Sequence, residues 1–247
     1  MLDRVRDVTR EMAKRSGPVK VVVETIVLVL VAVALAVVVK TFFVQAFYIP
    51  SGSMEPGLKI NDRILVEKPS YWFGNGPSRG DIVVFKDPGN WLTPADDAPP
   101  TGALATGLAK IGLYPTGGHL VKRVIGVGGD KIVCCDAQGR ISVNGTALDE
   151  ATYIAPQSAC NGPMAGCKGW SATVPKGKLF VMGDNRGESA DSSYHLCPSG
   201  GGGGTCDSGA AFVPVSDVVG KVFALVWPAG DAKWIKRPAD FAKIANP

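Results

Sequence analysis

Apolar positions along the chain follow two rhythms. Residues 21–39 are apolar apart from Glu24 and Thr25, and residues 26–39 run without interruption. At ~1.5 Å per residue such a run is about 28 Å long as a helix, which matches the ~30 Å hydrocarbon core of a bilayer. Thr41, Phe42, Phe43 and Val44 are available to extend its far end. Beyond it the period shortens to that of strands, at residues 63–66, 81–85, 120–127, 131–133, 140–143, 178–182 and 218–227. These segments are short and separated by Gly, Pro and Asn, with no βαβ alternation and no internal repeat. The expected fold is all-β, a mostly antiparallel sheet domain behind one N-terminal transmembrane helix. Two stretches read as surface insertions: residues 87–118, rich in Pro and Gly around a possible short helix at 103–113, and residues near 195–211, of which 197–209 is nearly pure turn composition.

Charge orients the span. Of the 26 Lys and Arg and 22 Asp and Glu in the 247 residues, residues 1–20 hold six basic and three acidic side chains, +3 of the net +4. By the positive-inside rule Arg4, Arg6, Arg10, Lys14, Arg15 and Lys20 stay cytoplasmic and everything after Lys40 lies outside. The organisation is therefore a basic cytoplasmic segment at 1–20, an anchor at 21–44 and an extracytoplasmic domain at 45–247. A cleaved secretory signal ending at Val44-Gln45-Ala46 is the rival reading, but the apolar run exceeds the usual ~7 to 15 residues. The nearly neutral remainder gives nucleic acid no footprint.

All six cysteines (Cys134, Cys135, Cys160, Cys167, Cys197 and Cys206) lie beyond the span, where oxidation is possible. Their spacings lack paired C-x-x-C knuckles and only His119 and His195 could complete a zinc shell, so disulfides rather than metal are expected. Cys197 and Cys206 bracket the glycine run 200–204, and bridging them is the most economical pairing. The other four leave three pairings open.

Chemistry concentrates in three segments. In residues 49–58, two prolines and two glycines surround Ser51 and Ser53 and fix a sharply turned backbone able to present a hydroxyl and free N–H groups together. A nucleophilic serine needs a base. His119 and His195 are poorly placed, one at a strand edge and one beside the Cys/Gly loop, whereas alternation in residues 120–127 sets Lys122 on the face of Leu120 and Val124. Burial among apolar neighbours is what a lysine base requires, because desolvation lowers its pKa from about 10.4 toward neutrality. Residues 182–194 follow a strand with turn formers, hydroxyls and charges, and their Asp spacing misses the EF-hand pattern.

Taken in order, these segments resemble the type I bacterial signal peptidases. The family's S-G-S-M-x-P box falls at residues 51–56, its G-D-I/V-V box at 80–83, its K-R-V-x-G-x-x-G-D box at 122–130 and its G-D-N-R-x-x-S-x-D box at 183–191. The resemblance implies a serine endopeptidase that removes signal peptides from translocated preproteins after A-x-A-like sites. It makes Ser53 the nucleophile and Lys122 the general base, with Ser51 and the Ser53 N–H as oxyanion hole. It also makes Ser189 the residue orienting the lysine amine, and Gly183, Asp184, Arg186 and Asp191 scaffold. Phe47, Ile49, Pro50, Met54 and Val121 match positions lining the pockets for small P1 and P3 residues. No metal or cofactor and no obligate protein partner are implied. The expected partners are secreted preproteins and the lipid bilayer, with Phe42, Phe43, Phe47 and Trp72 seating the domain at the bacterial cytoplasmic membrane.

One departure stands out: Ser193 occupies the position where many members carry an Arg that pairs with the box's aspartate, which leaves Arg123 or Arg186 as the expected partner of Asp191. Two other readings remain at this point: a Ser/Lys processing protease with a narrow client such as a pilin or conjugation factor, and a catalytically silent anchored β module.

Overall fold

The computed structural model describes residues 17–89, 91–92, 102, 118–155, 170–196 and 208–245. They form two compact units that divide after Phe43. The first is helix α1, Pro18–Phe42, with proline at its start where the missing N–H costs nothing. Its valine-rich sequence is a modest helix former in water, but in lipid only a segment that closes its own backbone hydrogen bonds can persist. The Lys20–Lys40 stretch has a mean hydropathy of 3.0 over its most apolar window and is long enough to cross a membrane. Thr25 returns its hydroxyl to the Val21 carbonyl at 2.8 Å, so the span's one neutral polar side chain is satisfied within the helix.

The second unit is built on antiparallel strands. β1 is Val44–Tyr48, β2 Arg63–Glu67, β3 Ile82–Lys86 and β4 His119–Val127. Next come β5 Lys131–Cys134, β6 Ser142–Val143, β7 Thr146–Ala147 and β8 Trp170–Thr173. The last four are β9 Lys178–Met182, β10 Val213–Pro214, β11 Val218–Trp227 and β12 Lys233–Trp234. One sheet runs β1-β2-β11-β3-β4-β9-β10 with β12 on β11, and a smaller one runs β7-β6-β5-β8. The all-β, antiparallel expectation holds.

Central strands carry apolar side chains on both faces, which is why β3 reads as an unbroken hydrophobic run. Ile82 and Val84 join Ile49, Met54, Leu58, Ile64 and Val66 in one cluster. Val83 and Phe85 join Leu120, Val124, Leu179 and Val181 in another. A third core, around Ile125, Phe180 and Met182, packs the small sheet against β4 and β9 through Ile132, Val143 and Trp170.

Several expectations are revised. Val44 opens β1 rather than closing the anchor. Ala46 pairs with Leu65 in mid-strand, so a signal cleavage there would cut β1 in two. The strand read at 140–143 contracts to Ser142–Val143. β7, β10 and β12 are two residues each, too short to generate a periodicity. Cys134 and Cys135 are disulfide-bonded to each other, one of the three pairings left open. The helix at 103–113, Cys160, Cys167 and the Cys197–Cys206 bridge fall outside the described residues.

Candidate active site

Ser53 sits in a single 3-10 turn, Gly52–Met54, with Ser51 extended just before it. The turn is pinned from both directions. Leu58 N–H donates to the Met54 carbonyl, and Asn185 N–H donates to the Ser53 carbonyl at 3.0 Å. The Asn185 side-chain amide donates to the Gly52 carbonyl at 3.2 Å. The nucleophile loop and the loop after β9 are thereby fastened backbone to backbone.

Lys122 reaches this turn from the middle of β4. Its Nζ lies 2.5 Å from Ser53 Oγ, inside the fold and across 69 residues of sequence. Only 6% of Ser53 and 4% of Lys122 is exposed. Burial pulls the Lys122 pKa down to about 8, against the smaller upward pull of Asp191 and Asp184. Ser51 Oγ is 3.3 Å from Ser53 Oγ. A hydroxyl facing a mostly desolvated amine near its titration point is an arrangement suited to proton transfer.

The residues expected as scaffold do meet, though not always with the anticipated partners. Asp191 is satisfied by neutral donors: Ser189 Oγ at 2.6 Å, Gly183 N–H at 2.9 Å and Ser193 through both its hydroxyl at 2.7 Å and its N–H at 3.0 Å. Ser193 therefore takes the place of the expected arginine; neither Arg123 nor Arg186 pairs with Asp191. Arg123 instead grips Asp184 with two bonds of 2.8 and 2.6 Å and donates to the Gly80 carbonyl at 3.0 Å. Arg186 is held by Glu150. The Ser189 hydroxyl donates to Asp191 and accepts from Gly183 N–H at 3.1 Å. No hydrogen bond between Ser189 and the Lys122 amine forms among the described residues; the amine faces Ser53 instead.

The expected pocket residues gather around one cluster. Ile49 and Met54 are core members of it, with Phe47 and Val121 packed against it. Pro50 is exposed beside them. The histidines play other parts. The His195 ring stacks on Trp91 at 4.6 Å, and Trp91 donates its indole N–H to the Ala210 carbonyl at 2.9 Å. His119 lies against the Phe47 ring at 5.4 Å. Neither hydrogen bonds to Ser53.

Asn185 meets the nucleophile turn, and Glu150 and Tyr153 meet the expected scaffold side chain Arg186 and the Arg123 guanidinium, although sequence reading gave them no role. Asn185 stands inside the last motif box, so its position was signalled. Glu150 and Tyr153 lie in an undistinguished polar stretch, and nothing in their spacing marks them.

The Arg123–Asp184 pair supplies a stability test, since both side chains are buried. Arg123→Met strands a buried carboxylate, and the expected loss is about 3–5 kcal/mol in urea unfolding. A loss under about 1 kcal/mol would show that Asp184 finds solvent or another donor.

A sequence profile described as "Signal peptidase, peptidase S26" matches residues 22–227. A probable signal peptidase I of Mycobacterium leprae is 39% identical over 223 residues, covering 83% of this chain and 76% of its own. The signal peptidase I of Mycobacterium tuberculosis H37Rv is also 39% identical, over 72% of its length. Probable signal peptidase I-2 of Synechocystis is 34% identical, covering 90% of this chain and 82% of that protein. Among solved structures, a signal peptidase I from Enterococcus faecalis V583 is similar at 22% identity with a TM-score of 0.34, covering 59% of this chain and 95% of that one.

Proposed function

This chain belongs to the signal peptidase, peptidase S26, family, and we propose from that premise that Ser53 and Lys122 are the pair with which it removes signal peptides. It is a peptidase of the signal peptidase I kind, and the one long apolar helix among the described residues suits a membrane-anchored enzyme. The finer reading is that the segment before the helix stays in the cytoplasm and residues 45–247 act outside on translocated preproteins, cleaving after A-x-A-like sequences.

The observation that carries it is the buried 2.5 Å contact between Lys122 Nζ and Ser53 Oγ. The neutral amine takes the Ser53 proton as Oγ attacks the scissile carbonyl. The developing oxyanion is received by the Ser53 N–H and the Ser51 hydroxyl. The ammonium of Lys122 then gives its proton to the leaving amine, and the regenerated base activates the water that releases the acyl group. Small residues at P1 and P3 suit a pocket walled by Phe47, Ile49, Met54 and Val121, where larger side chains would displace packed core. Incubating detergent-solubilised protein with a preprotein and sequencing the new N-terminus tests this directly. An intact preprotein, together with a serine-directed acylating probe that leaves Ser53 unlabelled, would point to a silent anchored module instead.

The pH dependence follows from the lysine. Desolvation disfavours its cation, so the folded pKa falls from 10.5 to about 8 and the neutral base is present above that value. kcat/KM is expected to rise about tenfold per pH unit through the acid and neutral range and to level off on the mildly alkaline side. A limb centred near the ordinary lysine value would contradict a buried base.

A further inference from the structure

We propose that Glu150 is a positioning residue for the Ser53–Lys122 pair, acting through Arg186 on the Gly183 peptide; this rests on the Ser/Lys reading above. Glu150 belongs to none of the four motif boxes and lies on the turn that leaves the small sheet after β7. Only 5% of it is exposed. A carboxylate so buried requires partners, and it has three donors: Arg186 Nη2 at 2.6 Å, Arg186 Nη1 at 3.0 Å and the Tyr153 hydroxyl at 2.7 Å. The two-pronged arginine contact fixes the guanidinium plane as well as its place.

That orientation has a destination. The third nitrogen of Arg186, Nε, donates to the Gly183 carbonyl at 2.9 Å. The N–H of the same glycine is held by Asp191 and Ser189. Both polar groups of Gly183 are thus fixed, and its Cα lies so close to the Ser53 carbonyl and the Ser189 hydroxyl that a Cβ would overlap them. The turn carrying Glu150 grips the adjacent residue as well. Ala155 N–H donates to the Asp184 carbonyl at 3.0 Å, and the Tyr153 ring lies 4.4 Å under the Arg123 guanidinium that holds the Asp184 side chain. One residue further on, Asn185 N–H holds the Ser53 carbonyl. A continuous set of contacts therefore runs from Glu150 to the backbone against which the nucleophile turn is seated.

Neutralising Glu150 leaves Arg186 buried without its counter-ion, next to the charge of Asp191, which already acts on it. A guanidinium drawn toward Asp191 abandons the Gly183 carbonyl and competes with Ser189, Ser193 and the Gly183 N–H for that carboxylate. Either change displaces the surface behind Ser53, and misplacement of about 1 Å in a reacting pair costs about a hundredfold in rate.

Glu150→Gln keeps the shape and removes the charge. With the full chain in detergent and a preprotein bearing an A-x-A site, the expected result is a kcat lowered about 10- to 100-fold with KM within about twofold, at temperatures where circular dichroism shows folded protein. Arg186→Lys should behave alike, and the double variant should be no slower than Arg186→Lys alone, because both act on one contact. A kcat within about twofold of the parent, a loss confined to KM, or penalties that multiply in the double variant overturns the proposal. If Glu150→Gln does not fold, Tyr153→Phe, which removes only the hydroxyl on Oε1, should lower kcat about threefold at constant KM; an unchanged kcat then overturns it. Ser53→Ala is run beside these variants. If it is inactive while Glu150→Gln is fully active, only the positioning role fails; if it cleaves normally, the Ser/Lys reading itself fails.

Discussion

Ser53→Ala and Lys122→Ala are each expected to lower kcat by at least about 10⁴-fold in preprotein cleavage, since a nucleophile and its base act as one unit and losing either removes the covalent route. Lys122→Met sharpens the result. It keeps most of the side-chain volume and removes an amine whose charged form burial disfavours. The variant should be inactive yet unfold at the same or higher temperature than the parent. Inactivity accompanied by collapse of the fold would leave Lys122 as a structural residue. His119→Ala and His195→Ala provide the contrast, because the two rings pack against Phe47 and Trp91 rather than against Ser53. Each should cost about 1 kcal/mol of stability and leave most of the activity. A loss at His119 as deep as that at Lys122 would overturn the choice of base.

The second large effect is expected at Gly183. A Cβ there would overlap the Ser53 carbonyl oxygen and the Ser189 side chain. The first of these is backbone, held in place by Asn185, and cannot rotate aside. Gly183→Ala is expected to lose about 2–3 kcal/mol in denaturant unfolding and at least about a hundredfold in kcat, as the nucleophile turn moves off Lys122. The same substitution at Gly17, which has open space around it, should change neither measure. If Gly183→Ala retains parental kcat and midpoint, the contact between the loop after β9 and the nucleophile turn is looser than the geometry shows.

Much of the fold was legible because its signals are local. An unbroken apolar run marks a helix long and apolar enough to cross a membrane, and β4, β9 and β11 are long enough for apolar and turn residues to mark their limits. Short pieces such as β7, β10 and β12 carry no such record; they are strands because a neighbouring strand offers its backbone. β1 was hidden differently. Its Val44 and Phe47 continue the apolar character of the span, and only pairing with β2 separates them from it.

By itself, the sequence carried an apolar segment long enough to cross a membrane, a series of short antiparallel strands, and motif boxes whose resemblance to the signal peptidases proposes Ser53 as nucleophile and Lys122 as base. Residue types and short-range spacing carry the first two readings, and the order of the boxes carries the third. Only the tertiary structure decided which charges meet. Lys122 finds Ser53 across 69 residues, Arg123 chooses Asp184 across 61, and Arg186 chooses Glu150 across 36. Asp191, for which an arginine was expected, is satisfied by hydroxyls and backbone N–H groups within the loop after β9. The physical reason is that a buried charge takes whichever donors the packed core leaves within about 3 Å. That set is fixed by strand register and by the turn on which Glu150 sits, neither of which any local pattern encodes.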